Sequence, residues 1–599
     1  MNILSLAPAV FLTFFFMFVF SRVLFLVVLR LRKQDPTGRN SANGMITRGS
    51  ASADAKHVYI ILIILALLRP VDTLSESPGP AGLKDSTEAQ QFQSTHEKAK
   101  SCDADAQYEL GRRYSVGRGV SRDDEAAVKW YAGAAEQGHA AAQCALGEMY
   151  YYGRGIGQDD DAAVKWFRMA AEQGLAEAQL WLGVMYDDGR VLTQDYSEAI
   201  KWYKMAAQQG NIYAQLSLGG IYAEGYGVAQ DYQEAVKWYQ MAADQGDAEA
   251  QYNLGDMYAN GYGVLPDDKA ALHWILKAAE QGYTDAQFRL GWIYASGTGA
   301  KQDYQEAVRW YAMAAAQGNG FAQNSLGLMY ANGDGVSQDY GQAVKWFRMA
   351  ADQGDADAQV WLGKMYDDGR GVTRDYKEAT KWYTLAAAQG NVDAQYNLGV
   401  MYANGSGVAQ DDKEAFRWYT MAALQEDAEA QYSLGMMYAG GQGVSKDDEA
   451  AFHWFSRSAA QGYDQAQFQL GLMYVKETGV TQDYQEAVRW YTMAADQGNV
   501  YAQNSLGLMY ADGDGVLRDY GQALKWFRMA ADQGDADAQY NLGMMYAEGH
   551  GVPRDHEQAY EWLSLAAQQG DERALKFRDE LKTIMNPGQI DIIRRNNME

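Results

Sequence analysis

Cysteine and basic residues are both scarce in this 599-residue chain, and each shortage excludes a class of protein. The two cysteines, Cys102 and Cys144, are too few for a scaffold held by disulfides or by repeated zinc sites. Two alternatives fit the sequence: a single disulfide between these cysteines, or two free thiols. The chain has 51 Lys and Arg against 77 Asp and Glu, a formal net charge of -26. Nucleic-acid affinity depends on basic side chains that neutralise phosphates, so we expect no nucleic-acid partner.

Catalytic and metal-binding motifs are missing as well. The seven histidines fall at unrelated positions, and the sequence has no His-Glu-x-x-His, phosphate loop, nucleophile elbow or dinucleotide glycine motif. The acidic stretch at Asp512 faintly resembles a calcium loop, but Ala523 stands where such a loop needs Glu. We therefore predict a protein that is not an enzyme and has no catalytic residue, cofactor or metal site.

Long apolar runs are confined to the first 70 residues. Residues 3–21 are uncharged and have about the length of a helix that crosses a bilayer core. Residues 58–68 match the apolar core of a signal peptide, and a start at Met45 would place Arg48 and Lys56 ahead of them. Basic residues predominate between the runs, which predicts that this stretch stays in the cytoplasm. We expect residues 58–68 to lead the rest of the chain to the periplasm, cell surface or endoplasmic reticulum lumen. Insertion of residues 3–21 alone would leave it cytoplasmic.

The abundant feature is a repeat. A Leu-Gly-x-x-Tyr signature returns thirteen times at a period of 36 residues, from Leu110 to Leu542, without insertion or deletion. Such a period is typical of a solenoid, in which each unit buries its apolar face against its neighbours. The array is the acidic part of the chain, because residues 1–100 contain 11 basic and 7 acidic residues and leave 40 and 70 for the remainder.

Four segments follow from this organisation. Residues 1–33 are predicted to be a membrane anchor or signal region, and residues 34–98 a basic loop, the second apolar run and a linker. Residues 99–570 are predicted to form the repeats, and residues 571–599 a C-terminal capping helix and tail. On this division the membrane is contacted through the N-terminal segment only.

The last full copy, residues 535–570, predicts two helices. One apolar stripe consists of Ala538, Leu542, Met545 and Tyr546. Its spacing indicates a helix A that is capped by Asp535 and ends near Gly549. A second stripe consists of Ala559, Trp562, Leu563 and Ala566. It indicates a helix B that begins at Asp555, with Gln558 completing a capping box, and ends at Gly570.

Three further features of the repeat carry structural expectations. The helix B tryptophan recurs in every copy from Trp130 to Trp562, which is typical of a packed core. Gln539 and its twelve equivalents lie beside the buried stripe, and we expect their amides to form hydrogen bonds between repeats. Glu426 stands where the other copies end helix B with Gly, and Glu477 replaces the first loop Gly of its copy. We expect Glu426 to occupy the left-handed backbone region.

The pattern A-x-x-x-L-G-x-x-Y, G-x-G-V and D-x-x-x-A-x-x-W-Y-x-x-A-A resembles the Sel-1-like repeat, a relative of the tetratricopeptide repeat. The resemblance covers about four fifths of the chain. It implies an all-α fold, a right-handed α/α superhelical solenoid of about thirteen repeats that acts as an adaptor. Members of the family hold membrane-bound ubiquitin-ligase complexes together in the endoplasmic reticulum or serve bacterial envelopes, signalling and host contact. Residues 581–593 resemble the closing helix of many bacterial members.

The residues two before and one after the signature Gly of helix A differ in nearly every copy, which marks surface free of packing. Thirteen of the sixteen tryptophans belong to helix B, and the other three, Trp181, Trp292 and Trp361, fall at these variable positions. Tryptophan is enriched at interface hot spots, so we hypothesise that these three line a partner-binding groove. The alternative is that they pack on a neighbouring helix. Trp181 and Trp361 are 180 residues apart, the offset at which a block of five repeats was duplicated.

These observations favour a non-enzymatic adaptor that binds a protein or peptide on the concave face of the solenoid, within a membrane-associated complex. The alternative is a secreted or envelope protein that binds carbohydrate such as peptidoglycan, with or without hydrolytic activity.

Overall fold

The computed structural model describes residues 84–585, and this range consists of 28 helices and their connections without a β-strand. The apolar runs at residues 3–21 and 58–68, the start at Met45 and the linker at residues 70–80 lie outside the described residues. None of the 28 helices is long and apolar enough to cross a membrane.

The chain divides into two units, one of Met1–Leu218 with Tyr226–Val228 and the other of Gly219–Gly225 with Ala229–Glu599. The described helices of the first unit are α1 (Lys84–Lys100), α2 (Ala104–Val116), α3 (Asp124–Glu136), α4 (Ala140–Tyr152), α5 (Asp160–Glu172), α6 (Ala176–Asp188) and α7 (Tyr196–Gln208). Helix α8 (Ile212–Glu224) contains residues of both units.

The remaining helices belong to the second unit. They are α9 (Tyr232–Asp244), α10 (Ala248–Asn260), α11 (Asp268–Glu280), α12 (Thr284–Ser296), α13 (Tyr304–Ala316), α14 (Gly320–Asn332), α15 (Tyr340–Asp352), α16 (Ala356–Asp368), α17 (Tyr376–Ala388), α18 (Val392–Asn404), α19 (Asp412–Ala423), α20 (Ala428–Gly440), α21 (Asp448–Ala460), α22 (Asp464–Lys476), α23 (Tyr484–Asp496), α24 (Val500–Asp512), α25 (Tyr520–Asp532), α26 (Ala536–Glu548), α27 (His556–Gln568) and α28 (Glu572–Ile584).

Helix A and helix B alternate along the repeats, as the period predicts. Within each unit consecutive helices pack on one another. Even-numbered helices from α2 to α26 are helix A of the thirteen repeats, and odd-numbered helices from α3 to α27 are helix B. The all-α solenoid fold is therefore confirmed. Helix α1 was not predicted, and the predicted boundary at residue 98 lies inside it. The closing helix is α28, which begins at Glu572, earlier than the predicted residues 581–593.

Aspartates cap both helices of the last full repeat, as predicted. The carboxylate of Asp535 accepts a hydrogen bond from the Ala538 N–H at 2.7 Å, and that of Asp555 accepts one from the Gln558 N–H at 3.0 Å. The predicted capping box is wrong in its second half. The Asp555 N–H donates to the Tyr546 carbonyl at 2.9 Å, so it does not depend on the Gln558 side chain. The thirteen copies share this backbone bond, which ties the end of helix A to the start of helix B.

The signature Gly allows helix A to lie directly against an aromatic ring of helix B. A Cβ atom added at Gly363 would lie 2.7 Å from the ring of Tyr383, closer than packed carbon atoms approach. The second loop Gly allows a similarly close contact between the loop and helix B of the preceding repeat. At Gly335, where φ is +71°, an added Cβ would lie 2.3 Å from the Tyr304 carbonyl oxygen of the preceding repeat. A side chain at either position would push helices apart.

The helix B tryptophans join each repeat to the one before it, but most of them are less buried than predicted. Trp310 is 5% exposed and packs in a cluster with Ile275 of the preceding repeat and Leu290 of its own repeat. Trp382 and Trp526 are also buried, whereas the other ten helix B tryptophans are half-buried. Trp166, Trp346 and Trp490, for example, each pack on a cluster formed by helix B of the preceding repeat and helix A of their own repeat.

The glutamines of helix A form the predicted hydrogen bonds between repeats. The buried Gln539 Nε2 donates to the Ala531 carbonyl of the preceding helix B at 3.3 Å, and its Oε1 accepts from Gln569 Nε2 at 2.9 Å. The same pairing extends through both units, from Gln107 and Gln137 at 2.7 Å onward. Each amide thus connects three consecutive helices.

Glu426 has the predicted left-handed backbone, with φ of 69°, and so does Glu477, with φ of 57°. The Glu426 carboxylate pairs with Arg457 and accepts a hydrogen bond from Gln431 Nε2 at 3.3 Å. The two cysteines are free thiols, one exposed and one buried.

Candidate partner-binding groove

A groove with a volume of ≈ 720 Å³ opens along four successive A helices of the second unit, α14, α16, α18 and α20. Its lining residues are Asn324, Leu328, Asp357, Val360, Trp361, Lys364, Asp393, Tyr396, Asn397, Asp427, Ala428, Glu429 and Tyr463. We call it the Trp361 groove. Its volume lies in the range that is typical of ligand-binding sites.

The helical period explains why these side chains share one surface. On α16 the lining residues are Asp357, Val360, Trp361 and Lys364, which are spaced as i, i+3, i+4 and i+7. This spacing places them on one face of the helix. The buried stripe of Ala, Leu, Gly and Met faces the other way, although Val360 is 8% exposed and also belongs to an apolar core cluster.

Trp361 forms the apolar floor of the groove. It is half-buried, and its ring stacks on that of Phe347 with centroids 6.1 Å apart and planes 13° apart. The ammonium of Lys364 lies 5.4 Å from the centre of the Trp361 ring. An aromatic ring that is partly fixed by packing and partly open is the usual form of an interface anchor.

Carboxylates predominate along the rest of the lining. Asp357, Asp393 and Glu429 are exposed and Asp427 is half-buried, whereas Lys364 is the single basic residue among the lining residues. Burial raises the pKa of Asp427 above its ordinary range, and the neighbouring carboxylates of Glu429 and Asp393 raise it further. The groove therefore has surplus negative charge that its own side chains do not neutralise.

Trp181 does not lie on an open surface, and the prediction that it lines a partner-binding groove is corrected. It is 1% exposed, and its ring stacks on Phe167 at 5.2 Å and contacts Tyr151 at 5.4 Å. Its Nε1 donates to the Glu148 carboxylate at 3.3 Å. Burial raises the pKa of Glu148, and the hydrogen bond from Trp181 opposes that rise. Trp181 is part of the core of the first unit.

The preceding repeat decides which of the two equivalent tryptophans stays open. Tyr151 and Tyr152 end helix α4 and cover Trp181. The residues 180 positions later are Ala331 and Asn332, which are too small to cover Trp361 in the same way. The residues at the end of helix A in the preceding repeat therefore distinguish the buried tryptophan from the open one, and this difference is visible in the sequence.

Trp292 lies on α12, outside the Trp361 groove. It is half-buried between the apolar clusters of two repeats, and the Arg289 guanidinium lies 4.6 Å from its ring centre. The structure therefore brings only Trp361 of the three predicted residues into the groove.

The analysis of variable positions missed most of the lining residues. Asp357 and Asp393 lie two residues after the helix A cap, and Val360 and Tyr396 five residues after it. The first of these positions is Asp or Glu in eight of the thirteen copies, and the second is Tyr or Phe in seven. The signal at these two positions is therefore a preference for acidic and aromatic residues, which a search for variable positions does not find.

The arrangement suits binding. Aromatic rings, amides and carboxylates line an open groove, and in the described part of the chain no group of three or more His, Cys, Asp and Glu side chains is placed to hold a metal ion. A repeat solenoid with a variable, aromatic-lined groove defines the class of helical interaction proteins.

Comparison with known proteins identifies the family within that class. The model of the Sel1 repeat matches thirteen consecutive segments, from residues 104–139 to residues 536–571, and the chain therefore belongs to the Sel1 repeat family. It is similar to c5321, a protective antigen of uropathogenic Escherichia coli strains with an SLR fold, at 38% identity and a TM-score of 0.66. That match covers 72% of this chain and 92% of the antigen.

A second relative is a Sel1 repeat protein from Oxalobacter formigenes, at 35% identity and a TM-score of 0.44. The match covers 55% of this chain and 93% of that protein. The comparison with curated proteins finds no match. Sel1 repeat proteins generally mediate protein–protein interactions and are typically non-enzymatic adaptors.

Proposed function

We propose that this protein is a non-enzymatic adaptor that binds an extended segment of a partner protein in the Trp361 groove. The observation that carries the proposal is the groove itself, in which a half-buried tryptophan lies on a face of helices whose residues differ from copy to copy. Four successive A helices contribute to it, and an extended chain is the ligand that can contact all four.

Affinity capture with the full chain as bait tests the proposal. Trp361→Ala should lose the partner that the unchanged chain retains. Tyr501→Ala is the matched control, because Tyr501 is an exposed aromatic residue of α24 that lies outside the groove. Circular dichroism would establish that both variants remain folded. Equal recovery by Trp361→Ala would overturn the proposal, and so would Trp361-dependent binding of peptidoglycan fragments in place of a protein.

We also propose that the repeats are exported and remain associated with a membrane. The basic residues between the two N-terminal apolar runs support this orientation, since such segments are retained in the cytoplasm. In a bacterial host, protease added to spheroplasts, in which the periplasmic side of the membrane is open to the medium, should then cut the repeats. Repeats that are protected until lysis would show that they face the cytoplasm.

A further inference from the structure

The last repeat contains an arginine site made entirely by the chain itself. Arg573, at the start of α28, pairs with the carboxylates of Asp537 and Asp571, and its guanidinium lies 4.6 Å from the centre of the Tyr540 ring. Asp537 and Tyr540 lie two and five residues after the cap of helix α26. A carboxylate and a ring three residues apart on helix A therefore bind a guanidinium in this protein.

The Trp361 groove contains the same pair without its cation. Asp393 and Tyr396 lie two and five residues after the cap of helix α18, as Asp537 and Tyr540 do on α26. The residue of the next repeat at the position of Arg573 is Glu429. Burial raises the pKa of the Tyr396 hydroxyl, and the neighbouring Glu429 carboxylate raises it further. Two carboxylates thus flank the ring where the last repeat has a carboxylate and an arginine.

The other two carboxylates of the groove, those of Asp357 and Asp427, add to its negative charge. Asp357 accepts a hydrogen bond from Asn391 Nδ2 at 3.0 Å, which leaves its negative charge in place. Asp427 caps helix α20 through the Ala430 N–H at 2.6 Å and also remains available as a carboxylate toward the groove. Four carboxylates and one lysine give the lining a formal charge of -3 at neutral pH.

We propose that the Trp361 groove recognises arginine side chains of an extended, basic partner segment, with one guanidinium held over Tyr396 by Asp393 and Glu429. The inference rests on the proposed function, because it names the chemistry of the segment that the groove binds. Arginine fits better than lysine, since a planar guanidinium can stack on a ring while it donates to two carboxylates. The Arg573 site is the precedent within the chain.

Fluorescence anisotropy with the full chain and labelled Gly/Ser peptides that carry arginine, lysine, glutamine or glutamate provides the test. The arginine peptide should bind most tightly, and its affinity should fall as salt rises. Asp393→Asn and Tyr396→Leu should each weaken arginine-peptide binding by about tenfold, the usual loss when a charge-assisted or ring contact is removed. Glu486→Gln is the matched control, because it removes one negative charge from the half-buried Glu486 of helix α23, which lies outside the groove.

Each outcome decides the inference. Equal weakening by Glu486→Gln would mean that only the net charge of the chain attracts the peptide, and would overturn it. A glutamine peptide that binds as tightly as the arginine peptide, and loses affinity in Trp361→Ala, would overturn the arginine specificity while leaving the proposed function standing. Absence of binding by every peptide would also overturn the inference. The capture experiment with Trp361→Ala would then judge the adaptor function separately.

Discussion

Tryptophan side chains of this protein serve different purposes according to what their neighbours leave open. Trp310 is buried between two repeats, Trp181 is buried under tyrosines, and Trp292 is half-buried beside Arg289. The first two fill space that no other side chain can fill. The third keeps one face near the surface.

Truncation of these tryptophans should separate the two kinds of environment. Trp310→Ala should lower the free energy of unfolding by about 3 to 5 kcal/mol because it leaves a large cavity. Trp181→Ala should cost a similar amount, whereas Trp292→Ala should cost about 1 to 2 kcal/mol. Denaturant unfolding of the three variants measures this. A Trp181→Ala variant as stable as Trp292→Ala would contradict the burial of Trp181.

Glu249 makes the stability of the second unit depend on pH. Burial raises its pKa to about 7, and the carboxylates of Asp247 and Asp285 contribute to the rise. In the unfolded chain a Glu titrates near 4.3, so between about 4.3 and 7 the folded state binds the proton more tightly. The stability contributed by this proton is therefore present at low pH and lost as pH rises through 7.

Glu249→Gln should remove this dependence. The variant should match the unchanged chain in thermal midpoint near pH 4 and exceed it at pH 8, because the amide cannot ionise. Glu429→Gln, at the equivalent position five repeats later, is the control for loss of one charge. A gain by Glu249→Gln that is the same at both pH values would refute the role of the proton.

Glu426 combines an unfavourable backbone with a favourable contact. Its left-handed conformation costs a non-Gly residue roughly 1 to 2 kcal/mol, while an exposed ion pair such as that with Arg457 contributes less than about 1 kcal/mol. Glu426→Gly should therefore stabilise its segment by up to about 1 kcal/mol. Thermal unfolding measures the gain, and Arg457→Ala in both backgrounds isolates the ion pair. A midpoint that falls in Glu426→Gly would show that the contact outweighs the strain.

At the scale of the helix, the features that depend on residues within a single repeat were the ones best predicted from the sequence. The caps at Asp535 and Asp555 and the end of helix A at Gly549 depend on residues within one turn, and all three are as predicted. The environment of Trp181 depends on the repeat before it, and the groove depends on four helices at once. Helix α1 lacks the repeat signature altogether, so the period gave no sign of it.

The glutamine connections should contribute measurably to the coupling of helices. Gln323 is 1% exposed; it donates to the Ala315 carbonyl at 3.1 Å and accepts from Gln353 at 2.7 Å. Gln323→Leu removes one of the donors of that carbonyl, which keeps the Gly318 N–H at 3.0 Å, and should cost about 1 to 2 kcal/mol in unfolding free energy. Gln353→Ala is the matched comparison and should cost less, because Gln353 is exposed. Equal costs would show that the buried amide has no special role.

At the scale of the molecule, stability should be distributed along the chain. Within each unit the helices pack almost entirely on their immediate neighbours in sequence, so a change in one repeat is felt mainly by the repeats beside it. The first repeat is then a special case, because what precedes it is not another repeat. Helix α1 takes that place: it supplies the Ala99 carbonyl to Gln107 Nε2 at 3.1 Å and buries Leu110 together with Phe92.

Two truncated chains test whether α1 acts as this N-terminal cap. Residues 84–599 should fold with a helical circular dichroism spectrum, because every described repeat keeps its neighbours. Residues 104–599 should fold as well, but the amides of α2 and α3 should exchange faster with deuterium, since Leu110 is then exposed and Gln107 loses its acceptor. The amides of α13 are the internal control and should exchange at the same rate in both chains. Equal protection of α2 in the two chains would show that the first repeat is stable without α1, and faster exchange throughout would contradict the neighbour-by-neighbour distribution of stability.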